Sequence, residues 1–185
     1  MRTFSAALGV MIMFSSVLSA QQGGVSYEQL VRASEDPGNW LMHSGQYHSQ
    51  RFSSLDEINR ANVSRLRLKW VRQLPTLGQV QTSPLVVDGV MYLTTPENEV
   101  YALDASTGNV FWTYQHDLSD TLTLCCSKQS RGVGILGDQL YLTTMDAHLI
   151  ALDSATGTEL WDRQIADHLD GYSMTAAPLI VKDLI

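Results

Sequence analysis

Several things are scarce in this sequence, and each scarcity removes a class of function. Charged residues make up only 17% of the 185-residue chain, with 12 Lys and Arg against 19 Asp and Glu, and no stretch concentrates Lys or Arg. The net charge of -7 and the lack of a basic patch exclude a phosphate-backbone partner, so nucleic acid binding is not expected. The five histidines His43, His48, His116, His148 and His168 form no pair at metal-ligand spacing on a common element. No Ser/His/Asp set and no phosphate loop is visible. The segment 104–108 has the look of a calcium loop but lacks alternating acidic ligands and a terminal Glu, and reads as a turn. Apolar content of 44% is enough for a packed core and argues against disorder.

Cysteine is equally sparse. The only two, Cys125 and Cys126, are adjacent. Neighbouring cysteines can bond only by closing a small ring that strains the peptide between them, and such strain persists at ligand clamps and active sites. Two unpaired thiols in a loop are the other reading.

The chain opens with Arg2 and an apolar stretch over residues 4–18. Small Ser19 and Ala20 and a polar 21–24 follow, which is the layout of a secretory signal peptide. Cleavage is expected after Ala20, with Ser19 as the alternative. The apolar run is short for a membrane span, although an uncleaved N-terminal anchor holding the protein at the membrane is the other reading. No Cys lies near the junction, which excludes a lipoprotein. An exported chain reaches an oxidising compartment, where a bond between the two cysteines is chemically permitted.

In the remainder, residues 21–65 read as a short N-terminal helix and an ordered, non-repetitive loop. The helix spans 26–35 with Ser26 as its cap and Tyr27, Leu30 and Val31 on one face, and 36–38 stops it. A helical turn is expected around Asn62. Residues 66–72 alternate apolar and charged, as a half-buried strand does. The chain then repeats itself. Tyr92, Ala102, Gly108 and Trp112 recur as Tyr141, Ala151, Gly157 and Trp161, all at an offset of 49. Each copy reads as four strands, with hairpin signals at Asp88-Gly89 and Gly137-Asp138 and glycine-closed turns at 104–108 and 153–157. Four strands per period of roughly 40–50 residues define a β-propeller blade. The expected fold is all-β. It has complete blades at about 82–114 and 131–163 and a third opening at about 175, in a partial propeller over 66–185. Closed propellers have about four to eight blades, so the chain reads as the N-terminal piece of a larger one with exposed, sticky blade edges.

The segments 102–112 and 151–161 resemble the tryptophan-docking motif of eight-bladed quinoprotein dehydrogenases, in which an Ala, a Gly and a Trp lock one blade to the next. Here these are Ala102, Gly108 and Trp112, then Ala151, Gly157 and Trp161. Residues 40–63 also resemble that family's N-terminus. Cys125-Cys126, followed five residues later by Arg131-Gly132, resembles the cofactor segment of pyrroloquinoline quinone (PQQ) alcohol dehydrogenases. The resemblance implies a Cys125–Cys126 disulfide stacked on one face of PQQ and Arg131 pairing with its oxygens. It implies that Thr175 hydrogen-bonds the cofactor, and that Gln81 stands where many members place a cofactor-binding Glu. Ser130 departs from the Asn usual before the Arg.

For the full-length family the resemblance implies oxidation of an alcohol at the quinone C5 carbonyl. Calcium or a lanthanide polarises that carbonyl, an Asp acts as base, and a cytochrome c or membrane quinone accepts the electrons. The family's calcium-binding Glu, metal-binding Asn and catalytic Asp come from later sequence. The expected contribution of this chain is therefore one wall of a periplasmic cofactor pocket, inactive alone. The alternative is a non-catalytic propeller scaffold of the outer-membrane assembly type, which binds proteins through its blade faces.

Overall fold

A computed structural model of the chain describes residues 24–124 and 126–185. The expected signal peptide and Cys125 lie outside the described residues.

Eight strands form two four-stranded antiparallel sheets. β1 (Leu85–Val87), β2 (Val90–Thr94), β3 (Glu99–Asp104) and β4 (Val110–Gln115) form the first, in the order β1-β2-β3-β4. β5 (Gly134–Leu136), β6 (Gln139–Thr143), β7 (His148–Asp153) and β8 (Glu159–Gln164) form the second in the same meander. Sequential hairpins keep every pairing local, as the turn signals require. Asp88 adopts φ 48, the left-handed conformation of a two-residue hairpin. Asp104 does the work of a turn residue: its Oδ1 accepts from Ser106 N at 2.7 Å, and Asp153 repeats this with Ala155 N at 3.1 Å.

The two blades match down to their irregularities. Ala102 lies opposite Trp112 and Leu103 opposite Val110, so Phe111 is an extra, bulged residue. Ala151 opposite Trp161 and Leu152 opposite Glu159 leave Leu160 bulged in the same way. Both bulged side chains are turned out and exposed. The central strands β2, β3, β6 and β7 each bury three or four residues, whereas β4 alternates half-buried and exposed residues as an outer strand does. Leu85, Val100, Leu140, Leu142, Ile150 and Leu152 lie at the centre of the main core between the blades, onto which the N-terminal Leu30, Leu41 and Met42 also pack. The other face of the first blade buries Leu93, Tyr101 and Leu103 against Leu74 and Met91.

Blade locking is visible atom by atom. The Trp112 indole Nε1 donates to Ser154 O at 3.1 Å, and its ring lies over Gly157. A Cβ on Gly157 would overlap the Trp112 six-membered ring, and Gly157 has φ +73, so both space and backbone call for glycine here. Trp70 does the same one step earlier. Its Nε1 donates to Ala105 O at 3.1 Å, and a Cβ on Gly108 would lie 2.5 Å from Trp70 Cε3. Trp70 escapes a search at the repeat period because it lies 42 residues before Trp112 instead of 49. A shared Trp-x-x-Gln in Trp70/Gln73, Trp112/Gln115 and Trp161/Gln164 is the signal that finds it.

Two expected elements differ. The N-terminal helix is α1 (Tyr27–Val31), with the full capping box of Ser26 and Gln29, and it breaks at Arg32 into a 3-10 turn, Ala33–Glu35. The break rotates Val31 outward to 54% exposure, while Leu30 and Ala33 are buried. Residues 66–72 are not a strand. No strand among the described residues lies beside them, so their backbone has no ladder to join, and Leu68 and Val71 are more than 80% exposed. The turn near Asn62 is a 3-10 helix, Val63–Arg65.

Candidate functional site

The meander sends the docking turns to one end of the blades. The segments that enter the inner strands run to the other end. There, three successive entry segments lie side by side: Ser83 N donates to Arg131 O at 3.1 Å, and Arg131 N donates to Thr175 O at 3.1 Å. Sequence positions 81–83, 131 and 173–175 are thus drawn into one ladder, although each belongs to a different repeat.

Arg131 is at the centre of it. Its half-buried guanidinium donates from Nη1 to Thr175 Oγ1 at 2.5 Å and from Nη2 to Gln129 Oε1 at 2.9 Å. Two of the residues expected to hold the cofactor, Arg131 and Thr175, are therefore in direct contact. Gln81 is half-buried two positions before Ser83, with its Nε2 3.5 Å from Gln79 Oε1. Gly132 has φ +123, and a Cβ there would meet Ser83 O at 3.0 Å, so the residue after Arg131 has to be small for the ladder to close. Ser130 points away from this edge, into the first blade. It is buried and donates to Thr94 Oγ1 at 2.9 Å, while Thr94 N donates to Thr82 Oγ1 at 3.1 Å. Gln129 and Met145 were not anticipated from the sequence. Met145 is fully buried, its sulfur accepts from Gln129 N at 3.2 Å, and its own N–H donates to Asn98 Oδ1 at 3.2 Å.

The loop that leads to the cysteines is pinned to the second blade. Asp146 sits buried in the β6–β7 turn, and both its oxygens lie 3.1 Å from His116 Nε2. Thr144 Oγ1 donates to Asp146 at 2.6 Å, and Ser119 N approaches at 3.4 Å. Burial works to raise the Asp146 pKa, but the Thr144 hydroxyl and His116 outweigh it and hold the carboxyl below its ordinary value. The His116 ring packs on His148 at 5.5 Å between centroids, and His148 Nδ1 meets Asp162 Oδ1 at 2.7 Å. Further along the loop, Thr121 Oγ1 contacts His168 Nε2 at 3.1 Å. Cys126 follows, exposed, whereas the expected Cys125–Cys126 bond lies outside the described residues. Among the described residues, no three His, Cys, Asp or Glu side chains gather closely enough to hold a metal ion, and no helix is long and apolar enough to cross a membrane.

A guanidinium fork, amides and a hydroxyl, half-buried on the inner edge of docked blades, form a donor set suited to a flat ligand rich in carboxylate and carbonyl oxygens. The fold and this edge together define a partial β-propeller of the quinoprotein type. The family profile described as glucose/ethanol/alcohol dehydrogenase, β-propeller domain, matches residues 40–160. The chain belongs to the PQQ-dependent alcohol dehydrogenase family. It is 37% identical over 182 residues to a quinoprotein ethanol dehydrogenase of Pseudomonas aeruginosa, covering 97% of this chain and 28% of that protein. It is 38% identical over 176 residues to quinohemoprotein alcohol dehydrogenase ADH IIB of Pseudomonas putida, covering 94% and 25%. Among solved structures, quinohemoprotein alcohol dehydrogenase ADHIIG from Pseudomonas putida HK5 superposes with a TM-score of 0.78 at 36% identity, over 85% of this chain and 24% of that one. A europium-containing methanol dehydrogenase superposes at 0.76 and 37%, over 84% and 28%. The chain thus spans less than a third of the length of these relatives. The expected family and all-β propeller fold are borne out.

Proposed function

We propose that this chain supplies one wall of a PQQ pocket in a dehydrogenase that oxidises alcohols. The observation that carries the reading is the Arg131 guanidinium, oriented by Thr175 and Gln129 on the inner edge of a family propeller. In this reading Arg131 pairs with the cofactor's anionic oxygens. Thr175 exchanges its bond to Arg131 for one shared with the ligand, and the Gln81 amide offers a further donor. Cys125 and Cys126, joined by a disulfide, cover one face of the ring.

The chemistry the bound quinone supplies is two-electron acceptance from an alcohol, assisted in the full-length family by calcium or a lanthanide. The chain's own part is to bind, orient and shield. It is expected to be inactive alone, because among the described residues no carboxylate set for the metal comes together. The sequence layout of residues 1–20 supports export to the periplasm, where the cysteines can oxidise. A cytochrome c or a membrane quinone then takes the electrons.

The test is a titration of the purified chain with PQQ, followed by equilibrium dialysis. Arg131→Ala removes charge-assisted bonds of about 1.5–3 kcal/mol in total and should weaken binding by about 10- to 100-fold. Equal binding by wild type and Arg131→Ala would overturn the reading. With PQQ, calcium and an alcohol present, no dye reduction is expected, so turnover would refute inactivity. Mass spectrometry of exported protein should find Cys125 and Cys126 two hydrogens lighter than the dithiol.

A further inference from the structure

We propose that His43 is a positioning residue for Arg131, held by Arg51 in its Nδ1-protonated, neutral tautomer. This rests on the reading of Arg131 as the group that holds the cofactor.

His43 comes from the N-terminal loop, 88 residues before Arg131 in sequence, yet its Nδ1 lies 3.1 Å from Arg131 O. On the other side of the ring, Nε2 lies 3.3 Å from Arg51 Nη2. A carbonyl oxygen can only accept, so Nδ1 must carry the hydrogen. A guanidinium can only donate, so Nε2 must be bare. One protonation state satisfies both contacts. The other neutral tautomer would set a lone pair against the carbonyl and an N–H against the guanidinium, and the imidazolium would set a cation against Arg51.

The backbone of the loop is strained where it presents this pair. Ser49 and Arg51 have φ 52 and 51, a left-handed conformation that non-glycine residues adopt at a cost and keep where the surroundings enforce it. The loop is held to the body on either side, by the ladder between Trp40 and Val86 and by the Tyr47 hydroxyl donating to Ile180 O.

The consequence for Arg131 is geometric. Its carbonyl accepts from His43 Nδ1 and also from Ser83 N, so both lone pairs are engaged. The plane of the 131–132 peptide is thereby fixed from two sides, next to a Gly132 that has φ +123 and no spare room against Ser83 O. That plane sets the direction in which the Arg131 side chain leaves the backbone. Thr175 and Gln129 fix the far end, and His43 with Ser83 fixes the near one. Arg51, His43 and Arg131 thus form a relay from the loop to the cofactor edge.

The experiment uses the whole chain and two readouts. Long-range nitrogen–proton NMR on histidine-labelled protein should show His43 protonated at Nδ1 and bare at Nε2, with Arg51→Met mixing the tautomers. In the PQQ titration, His43→Ala should weaken binding about tenfold, the value of one hydrogen bond. His43→Asn, whose amide nitrogen can occupy the Nδ1 position, should restore binding to near wild type. An Nε2-protonated His43 would overturn the proposal. So would unchanged PQQ affinity in His43→Ala alongside a loss in Arg131→Ala, a result that leaves the cofactor reading intact. Equal losses in His43→Ala and His43→Asn with matching drops in melting temperature would make the role merely structural and also overturn it. If the wild type binds no PQQ, the cofactor reading falls and this proposal with it.

Discussion

Gly157→Ala should destabilise the chain by roughly 2–5 kcal/mol, and Gly89→Ala by no more than about 1–2 kcal/mol. The two glycines share a left-handed backbone, with φ +73 and +83. They differ in what surrounds them. Nothing lies within 4 Å of a Cβ built on Gly89, whereas one on Gly157 would overlap the Trp112 ring. The conformational penalty is common to both, so the difference between the variants isolates the indole contact. Displacing the indole also endangers its bond to Ser154 O and its packing on Tyr92, 6.0 Å away between centroids. Urea unfolding followed by tryptophan fluorescence gives both values. Equal costs would mean that the blades slide apart easily and that the docking contact is soft. Small domains hold only about 5–15 kcal/mol in reserve, so the larger loss should be plain at modest urea.

Asp146→Ala should cost about 3–5 kcal/mol, because it leaves buried hydrogen-bond donors without their carboxylate acceptor, at about 1–3 kcal/mol each. The side chains of His116 and Asp146 are only 11% and 6% exposed. Without the carboxylate, His116 and the Ser119 amide lose this acceptor, and the Thr144 hydroxyl keeps only His148 O at 3.4 Å. Asp146→Asn keeps an oxygen acceptor and should cost less. The acid limb separates charge from shape. Because the folded carboxyl titrates below its ordinary 3.8, its stabilisation is complete above that pH and is lost as the pH falls through the lower folded value. Wild type should therefore lose stability below pH 3.8 more steeply than Asp146→Asn. Parallel acid limbs would show that the carboxylate contributes no charge-dependent stability.

The fold was legible wherever information is local and repeated. The 49-residue offset, the Asp88-Gly89 hairpin and the Asp104 and Asp153 turns all depend on residues close in sequence, and they form as expected. Strand formation at 66–72 was not legible, because alternation reports a residue's tolerance of a sheet and not the presence of a neighbour to pair with. Val31 was misplaced because a five-residue helix ends before its periodicity can be trusted. At the site, Arg131 and Thr175 could be singled out by spacing against a family pattern, but not their contact with each other. His43 at Arg131, His116 at Asp146 and Met145 under Gln129 are meetings between different repeats or between the loop and a repeat. Such meetings depend on how blades stack, and no periodicity within one segment encodes them.

Trp70 over Gly108 and Trp112 over Gly157 make the blades a chain of one-way clasps. The first blade receives the Trp70 indole at Gly108 and passes its own Trp112 indole to Gly157 of the second. Energetically this is a row of nearest-neighbour couplings, like a zip whose teeth engage in order. Damage to one clasp should therefore stay local. Loss of the Trp70 clasp should loosen the first blade and leave the Trp112 joint intact, so the Arg131 edge, whose Ser83, Arg131 and Thr175 come from the first, second and third repeats, would loosen at Ser83 first and keep the contact between Arg131 and Thr175.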